Sequence, residues 1–240
     1  MAKIDAVTST DVAKARLPKK ILIVDDHPMT REGLRGCINR EPDLLVCGEV
    51  DSARKAMTAI ETSTPDLVLV DITLPGKNGL ELVKDLKAIR PALAILAISM
   101  HDESLYAERM LRAGAGGYIT KHQPPEELLK AIRLVLDGHI YVSREMSATL
   151  LQRFSGGPPK TRSPIERLTD REFEILQLFG EGKSGKEIAR QLHLSDKTVA
   201  VHSANIRLKL KLKSTAQLIR FAVQNDNLAP AGADSIQMPN

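Results

Sequence analysis

Between Lys20 and about Leu136 the chain alternates between two hydrophobic rhythms. Short apolar runs (ILIV at 21–24, LLVCGEV at 44–50, LVLV at 67–70, AILAI at 94–98 and GGYIT at 116–120) are each followed by a segment with apolar residues at helical spacing. Those helical faces carry Leu34, Cys37 and Ile38; then Ala53, Ala56, Met57 and Ile60; then Leu82, Val83, Leu86 and Ile89; then Leu105 to Leu111; and last Leu128, Ile132, Val135 and Leu136. Uninterrupted short apolar runs predict strands buried on both faces, and the i, i+3, i+4, i+7 spacing predicts amphipathic helices. Five such βα units predict an α/β doubly wound, five-stranded parallel sheet.

The rhythm changes after a further helix from about Ser143 to Phe154. The stretch SGGPPKTRSP, residues 155–164, is rich in linker residues. Beyond it every element reads as helix, giving an all-α four-helix domain. Thr169 with Glu172 and Ser184 with Glu187 have capping-box spacing, Gly182 reads as a helix stop, and Ser195 caps a helix running to about Lys209. A last helix spans about Thr215 to Gln224. The organisation is a mobile polar leader at 1–18, an α/β domain at 19–140, a linker helix and flexible linker at 141–166, a helical domain at 167–229, and a disordered tail at 230–240.

Composition narrows the classes. Of 240 residues, 42% are hydrophobic, 27% are charged and none is Trp, so both cores must be aliphatic. Cys37 and Cys47 have no zinc or CxxC spacing and read as small buried thiols, which suits a reducing cytoplasm. The first 20 residues lack the apolar core of a signal peptide, and no run is long enough to cross a membrane. Charge is unevenly spread: residues 19–140 carry 16 basic and 18 acidic side chains, and residues 158–228 carry 13 and 8. The helical half is therefore the one suited to a polyanion.

Asp25, Asp26, Asp71, Ser99 and Lys121 all stand at or just past the ends of the apolar runs. In an open parallel sheet the carboxyl ends of the strands converge on one crevice. Two unit charges 4 Å apart repel by roughly 4 kcal/mol at an effective dielectric of 20, so three carboxylates together call for a cation. Such an oxygen set suits Mg²⁺, which keeps waters and is completed by a phosphoryl group. Asp71 is the nucleophile candidate, because a carboxylate can accept a phosphoryl group as an aspartyl phosphate. Lys121 would pair with that phosphate as a point charge, and the Ser99 hydroxyl would follow its new oxygens. Tyr118, three residues before Lys121, would change rotamer as Ser99 moves. Gly79 would permit a close backbone approach after Asp71. Singly, an Asp at a strand end caps a helix and a Lys is a surface charge; the inference rests on their order at successive strand ends.

The motifs VDDHP, VDITLPGKNG, AIS and GYITK, over residues 19–140, resemble the receiver domain of bacterial two-component response regulators. The resemblance implies the flavodoxin-like strand order 2-1-3-4-5 and phosphoryl transfer to Asp71 from a sensor histidine kinase. It implies Mg²⁺ bound by Asp26 directly, Asp25 through water, Asp71, and the main-chain carbonyl of Thr73. Ser99 and Tyr118 would be the switch pair and Lys121 the phosphoryl contact. The family often has Pro after the lysine, where this chain has His122.

Ser184 to His193, a turn at Leu194, and Ser195 to Lys209 read as helix-turn-helix, whose second helix enters the major groove. Val199, Ile206 and Leu210 would face the core. Ala200, Ala204 and Arg207 lie opposite, and Lys197, Lys209, Lys211 and Lys213 surround them as phosphate-favouring cations. KEIA, LS..TV..H..NI and KL..KS, within residues 168–219, are similar to the LuxR/NarL-type helix-turn-helix. This implies phosphate contacts near Lys186, Thr198, His202 and Lys209, and dimerisation through Ala216 to Val223. Ala200, Val201 and Ala204 stand where the base-reading face often carries lysines or other polar residues. Methyl groups can touch thymine but cannot bond guanine, so direct readout is expected to be weak, with specificity from Val201, Asn205, DNA shape and dimer spacing. The family further implies a resting receiver that covers the recognition helix, and a phosphorylated homodimer that binds double-stranded DNA.

The leading expectation is a phosphorylation-activated transcription regulator without turnover of an external substrate and without a membrane partner. An interaction module whose helical domain binds protein is the alternative, kept open by the methyl-lined face. A phosphatase of the haloacid dehalogenase kind would need a carboxylate where Thr73 stands, for general acid–base chemistry. GAGG at 114–117 precedes a strand, unlike a dinucleotide fingerprint.

Overall fold

The computed structural model describes residues 17–100, 103–154 and 164–224. The expected leader up to residue 16, the 155–163 part of the linker and the tail lie outside the described residues.

The α/β domain alternates β1 (Lys19–Val24), α1 (Pro28–Ile38), β2 (Leu44–Val50), α2 (Ala53–Ser63), β3 (Leu67–Asp71), α3 (Gly79–Ile89), β4 (Ala94–Ser99), α4 (Glu103–Ala113), β5 (Gly117–Thr120) and α5 (Pro125–Leu136). The strands form one parallel sheet in the order β2-β1-β3-β4-β5. Odd positions of β1 (Ile21, Ile23) pack with Leu34 and Ile38 of α1 and with Leu128 and Ile132 of α5. Even positions (Leu22, Val24) face Ala56 and Ile60 of α2 and Leu82 and Leu86 of α3 on the other side. Covering both faces is why these strands read as unbroken apolar runs instead of alternating ones.

Register delivers the chemistry. Val24 pairs with Val70, so the next residues, Asp25 and Asp71, stand side by side. Asp71 pairs with Ile98, and Ser99 with Thr120, so Ser99 and Lys121 follow on the adjacent strand ends. Tyr141 adds a single bridge beyond β5: the Tyr118 amide donates to its carbonyl at 2.9 Å, and its own amide donates to Gly116 at 3.0 Å. That contact covers part of an otherwise open sheet edge.

After α6 (Arg144–Phe154), a 3-10 turn (Pro164–Arg167) leads into α7 (Asp170–Gly180), α8 (Gly185–Gln191), α9 (Asp196–Leu210) and α10 (Thr215–Gln224). Both capping boxes form: Thr169 and Ser184 accept from the amides of Glu172 and Glu187, whose side chains reach back to the cap amides. Ser195 caps α9 by accepting from the Thr198 amide. Gly182 follows α7 at φ +81, a conformation that suits glycine. The expected helix at 184–193 stops at Gln191, and His193 takes a left-handed φ of +54 in the turn before α9.

Candidate functional site

The crevice at the strand ends gathers the expected residues. Asp25, Asp71, Ser99 and Tyr118 are buried, and Lys121 is nearly so. Lys121 Nζ lies 2.7 Å from Asp25 Oδ2 and 2.7 Å from Asp71 Oδ2, bridging the two carboxylates. The Lys121 amide donates to the Ser99 carbonyl at 2.7 Å, which ties the two strand ends together. Thr73 stands exposed at the mouth, and its amide donates to Asp71 Oδ1 at 3.2 Å. Asp26 is partly exposed and faces the same opening. Tyr118 is enclosed within the core shared by β4 and α4.

Electrostatics follow from this burial. Loss of water pushes the Asp71 carboxyl up to about 6; Lys121 opposes the rise and Asp25 adds to it. Burial works against the charge of Lys121, yet Asp71 and Asp25 outweigh it and hold its ammonium above the usual lysine range. At neutral pH Asp71 is therefore ionised, and its nearest cation is Lys121.

His27 also belongs to the site, although no spacing in the sequence marks it. Its Nδ1 lies 2.8 Å from Asp26 Oδ1 and 3.4 Å from Asp25 Oδ1, and its amide donates to Asp25 at 2.8 Å. One ligand atom from each of Asp25, Asp26, His27 and Asp71 falls within 4.8 Å of the others. Three hard oxygens and one imidazole fit a divalent cation. The HP pair that follows the two acids was the available signal, since Pro28 opens α1 and holds His27 at the crevice.

Gly79 explains the loop after Asp71. A Cβ on Gly79 would sit 2.2 Å from the Asp71 carbonyl oxygen and 2.7 Å from Ile72 Cα. Only a residue without Cβ lets α3 start this close to the phosphoacceptor candidate.

The second candidate surface is α9. Val199, Ile206 and Leu210 are buried, as the spacing predicts. Lys186, Lys197, Ala200, Val201, Ala204 and Asn205 are exposed, with Thr198 and His202 half-buried. Leu208, unremarked in the sequence, is 79% exposed one and two turns along from Ala204 and Val201. Lys209, beside that face, is one-third exposed and also has a partner inside the domain: its Nζ lies 2.6 Å from the buried Glu172 carboxylate. Burial alone would raise Glu172, but Lys209 and the Thr169 cap outweigh it and hold the carboxyl below its usual range. One expectation needs correcting: among the described residues the receiver leaves the outer face of the recognition helix open, because its contact with the helical domain falls on the 3-10 turn, α7 and the turn before α9. Arg109 of α4 reaches Asp170 at 2.7 Å, and Lys84 of α3 reaches the same carboxylate at 2.7 Å. Sequence periodicity gave no hint of this pairing, since both cations sit on ordinary amphipathic helices.

A phosphoacceptor-like crevice joined to a helix-turn-helix defines a class, the two-part response regulators. Residues 21–133 match the response regulator receiver domain family, and residues 166–222 match the bacterial regulatory proteins of the luxR family. The chain is 35% identical over 202 residues to the nitrate/nitrite response regulator protein NarL of Escherichia coli strain K12, covering 83% of this chain and 93% of that one. It is 36% identical over 210 residues to the oxygen regulatory protein NreC of Staphylococcus aureus strain JH9, covering 85% and 97%. Among solved structures it resembles RcsB of Salmonella enterica serovar Typhimurium bound to a promoter in the presence of the phosphomimetic BeF₃⁻. That likeness has a TM-score of 0.66 at 25% identity, over 86% of this chain and 98% of that one. The chain belongs to the NarL/FixJ-type response regulators and is a DNA-binding transcription regulator. No helix among the described residues is long and apolar enough to cross a membrane.

Proposed function

We propose that Asp71 is the phosphoacceptor of a cytoplasmic regulator that takes its phosphoryl group from a sensor histidine kinase and then grips duplex DNA as a homodimer. The observation that carries this reading is the ionised, desolvated Asp71 carboxylate with Lys121 at 2.7 Å. An Asp71 oxygen attacks phosphorus in line, the P–N bond of the phosphohistidine breaks, and the leaving imidazole nitrogen keeps the electron pair and takes up a proton. Lys121, already held at the site by Asp25, neutralises the incoming oxygens. Asp25, Asp26, Asp71 and the Thr73 carbonyl would hold Mg²⁺, which when bound offsets charge on the transferring group. Ser99 then bonds the new oxygens, and Tyr118 responds to its movement.

Metal binding carries a pH signature. The proton and the cation compete for Asp71, whose carboxyl is pushed up to about 6. Mg²⁺ affinity measured by calorimetry is expected to be level above that pH and to fall about tenfold per unit below it. An affinity that stays level down to pH 5 would show that Asp71 is not a ligand.

On the helical side, the exposed positions Lys186, Lys197, Ala200, Val201, Ala204 and Asn205, with Thr198, His202 and Lys209, form the DNA face. Lys197→Ala is expected to weaken binding alike across duplex sequences and to reduce the log–log salt slope by about 0.9. Titrations from low to moderate salt read this directly, and an unchanged slope would remove Lys197 from the phosphate contacts. The whole reading is tested by genomic fragment selection with the phosphorylated chain beside an Asp71→Asn control. Identical fragment sets and affinities for the two would count against it.

A further inference from the structure

Among the described residues, a multiply bonded contact between the two domains is centred on Arg109. Its NH1 donates to Asp170 Oδ1 at 2.7 Å, and its NH2 donates to the carbonyls of Leu168 at 2.9 Å and Ile165 at 3.2 Å. The same guanidinium lies 4.7 Å from the centroid of the Phe173 ring. One turn earlier on α4, Tyr106 meets Phe173 edge-on, with centroids 5.0 Å apart and planes at 67°. Lys84 holds the second Asp170 oxygen at 2.7 Å. Burial opposes the Asp170 charge, but Lys84 and Arg109 outweigh it and keep the carboxyl below its usual range. Arg109 is only 14% exposed, whereas Asp170 at 32% and Lys84 at 42% keep contact with solvent, so the buried, multiply bonded guanidinium is the centre of the contact.

The footprint matters as much as the strength. On the helical domain it takes the 3-10 turn, the first turn of α7, and the turn before α9, where His193 comes near Gly76. Val201 and Leu208 on α9 remain 52% and 79% exposed, and Ile219 and Val223 on α10 are exposed too. Docking to the receiver and access to the DNA-reading and outer α10 faces are thus compatible. On the receiver side, Tyr106 and the switch candidate Tyr118 belong to one buried cluster, which continues into Phe173.

The geometry points to Arg109 as a positioning residue that locks the DNA-binding domain to α4 in a binding-competent orientation, so that the phosphorylation signal passes through a docked pair of domains and not through their release. This rests on the reading of the chain as a phosphorylation-responsive DNA binder. Release of an occluding receiver would make an Arg109 variant bind DNA more tightly before phosphorylation. Positioning makes it lose the gain on phosphorylation instead.

The test uses the full chain and a duplex enriched from a random library by the wild type, with affinity measured with and without beryllofluoride and Mg²⁺. Wild type is expected to gain about 5- to 150-fold. Arg109→Gln is expected to keep the unmodified affinity within about twofold and to gain less than about threefold, against that coupling range. Asp170→Asn provides a second variant should Arg109→Gln fold poorly, with the same expectation. Arg112→Gln is the control, since Arg112 is 72% exposed and pairs with Glu108 of its own helix; it should keep the wild-type gain. A rise of about fivefold or more in unmodified affinity, the low end of ordinary coupling, in either clasp variant overturns the proposal, and so does an undiminished gain in both. A wild-type chain that binds no duplex in either state overturns the parent reading with it, which sets that failure apart from one confined to the variants.

Discussion

Asp71→Asn is expected to leave the chain with no acid-labile phosphoryl adduct by intact mass spectrometry, and with a DNA affinity that ignores the phosphoryl donor. Wild type should gain about 5- to 150-fold under the same conditions. The amide removes the nucleophilic carboxylate but keeps its size and one acceptor oxygen, which can still take the Thr73 amide, while its NH2 cannot accept from the Lys121 ammonium. Loss of function should therefore come without loss of fold, and the pH dependence of stability shows why. Burial, countered by Lys121 and reinforced by Asp25, raises the folded carboxyl to about 6, whereas an unfolded Asp titrates near 4. A raised folded value means that this group favours folding below the unfolded pKa and that the benefit is lost as pH climbs through about 6. At pH 7, without metal, the ionised group costs on the order of 3 kcal/mol. The Asn variant lacks that cost, and Lys121 retains Asp25 at 2.7 Å. Its melting temperature in chelator should equal or exceed that of wild type at pH 7 and lose the advantage near pH 4. A variant that melts well below wild type at both pH values would mean that Asp71 holds the fold together as an ion-pair partner.

Gly79→Ala should have the largest effect on stability. The added methyl would lie 2.2 Å from the Asp71 carbonyl oxygen and 2.7 Å from Ile72 Cα, and both are backbone atoms. A side-chain tip could swing aside, but this backbone is the exit of β3 and is tied to Gly79 by the bond from its amide to the Ile72 carbonyl at 2.8 Å. The cost should reach about 3 kcal/mol or more, at the upper end for overpacked sites. In a domain of this size that lowers the melting temperature by roughly 10 °C. Chain that remains folded should accept phosphate slowly, because α3 can recede only by moving the carboxylate's own loop. Wild-type stability together with wild-type phosphorylation would show that the start of α3 is mobile enough to absorb a methyl group.

Much of the architecture was legible because burial on both faces of a parallel sheet leaves an unusual trace, apolar runs without alternation. ILIV and LVLV could be read as central strands on that ground, and the order of Asp25, Asp71, Ser99 and Lys121 at successive run ends located the crevice. The helix caps were equally readable, because capping boxes are local: Thr169 with Glu172, and Ser184 with Glu187, satisfy amides three residues away. The contacts that escaped are those between residues distant in sequence. Lys209 reads as one more basic residue beside the DNA face, and its pairing with Glu172, 37 residues earlier, leaves no trace in the sequence. Arg109 and Lys84 looked like the polar sides of amphipathic helices, and both converge on Asp170. His27 carries no mark of its own in the sequence because its role depends on the turn into α1, which folds its ring back over the carboxylates.

The order of elements, the strand ends that carry the acids, the caps and the helix-turn-helix pattern were thus determined by sequence alone, since each depends on periodicity or on neighbours a few residues apart. The tertiary structure alone decided which charges pair with one another, how closely α3 approaches Asp71, and which face of the helical domain rests on the receiver. Those outcomes depend on distances between elements brought together by packing, and a charge on a helix surface bears no mark of the partner it will meet.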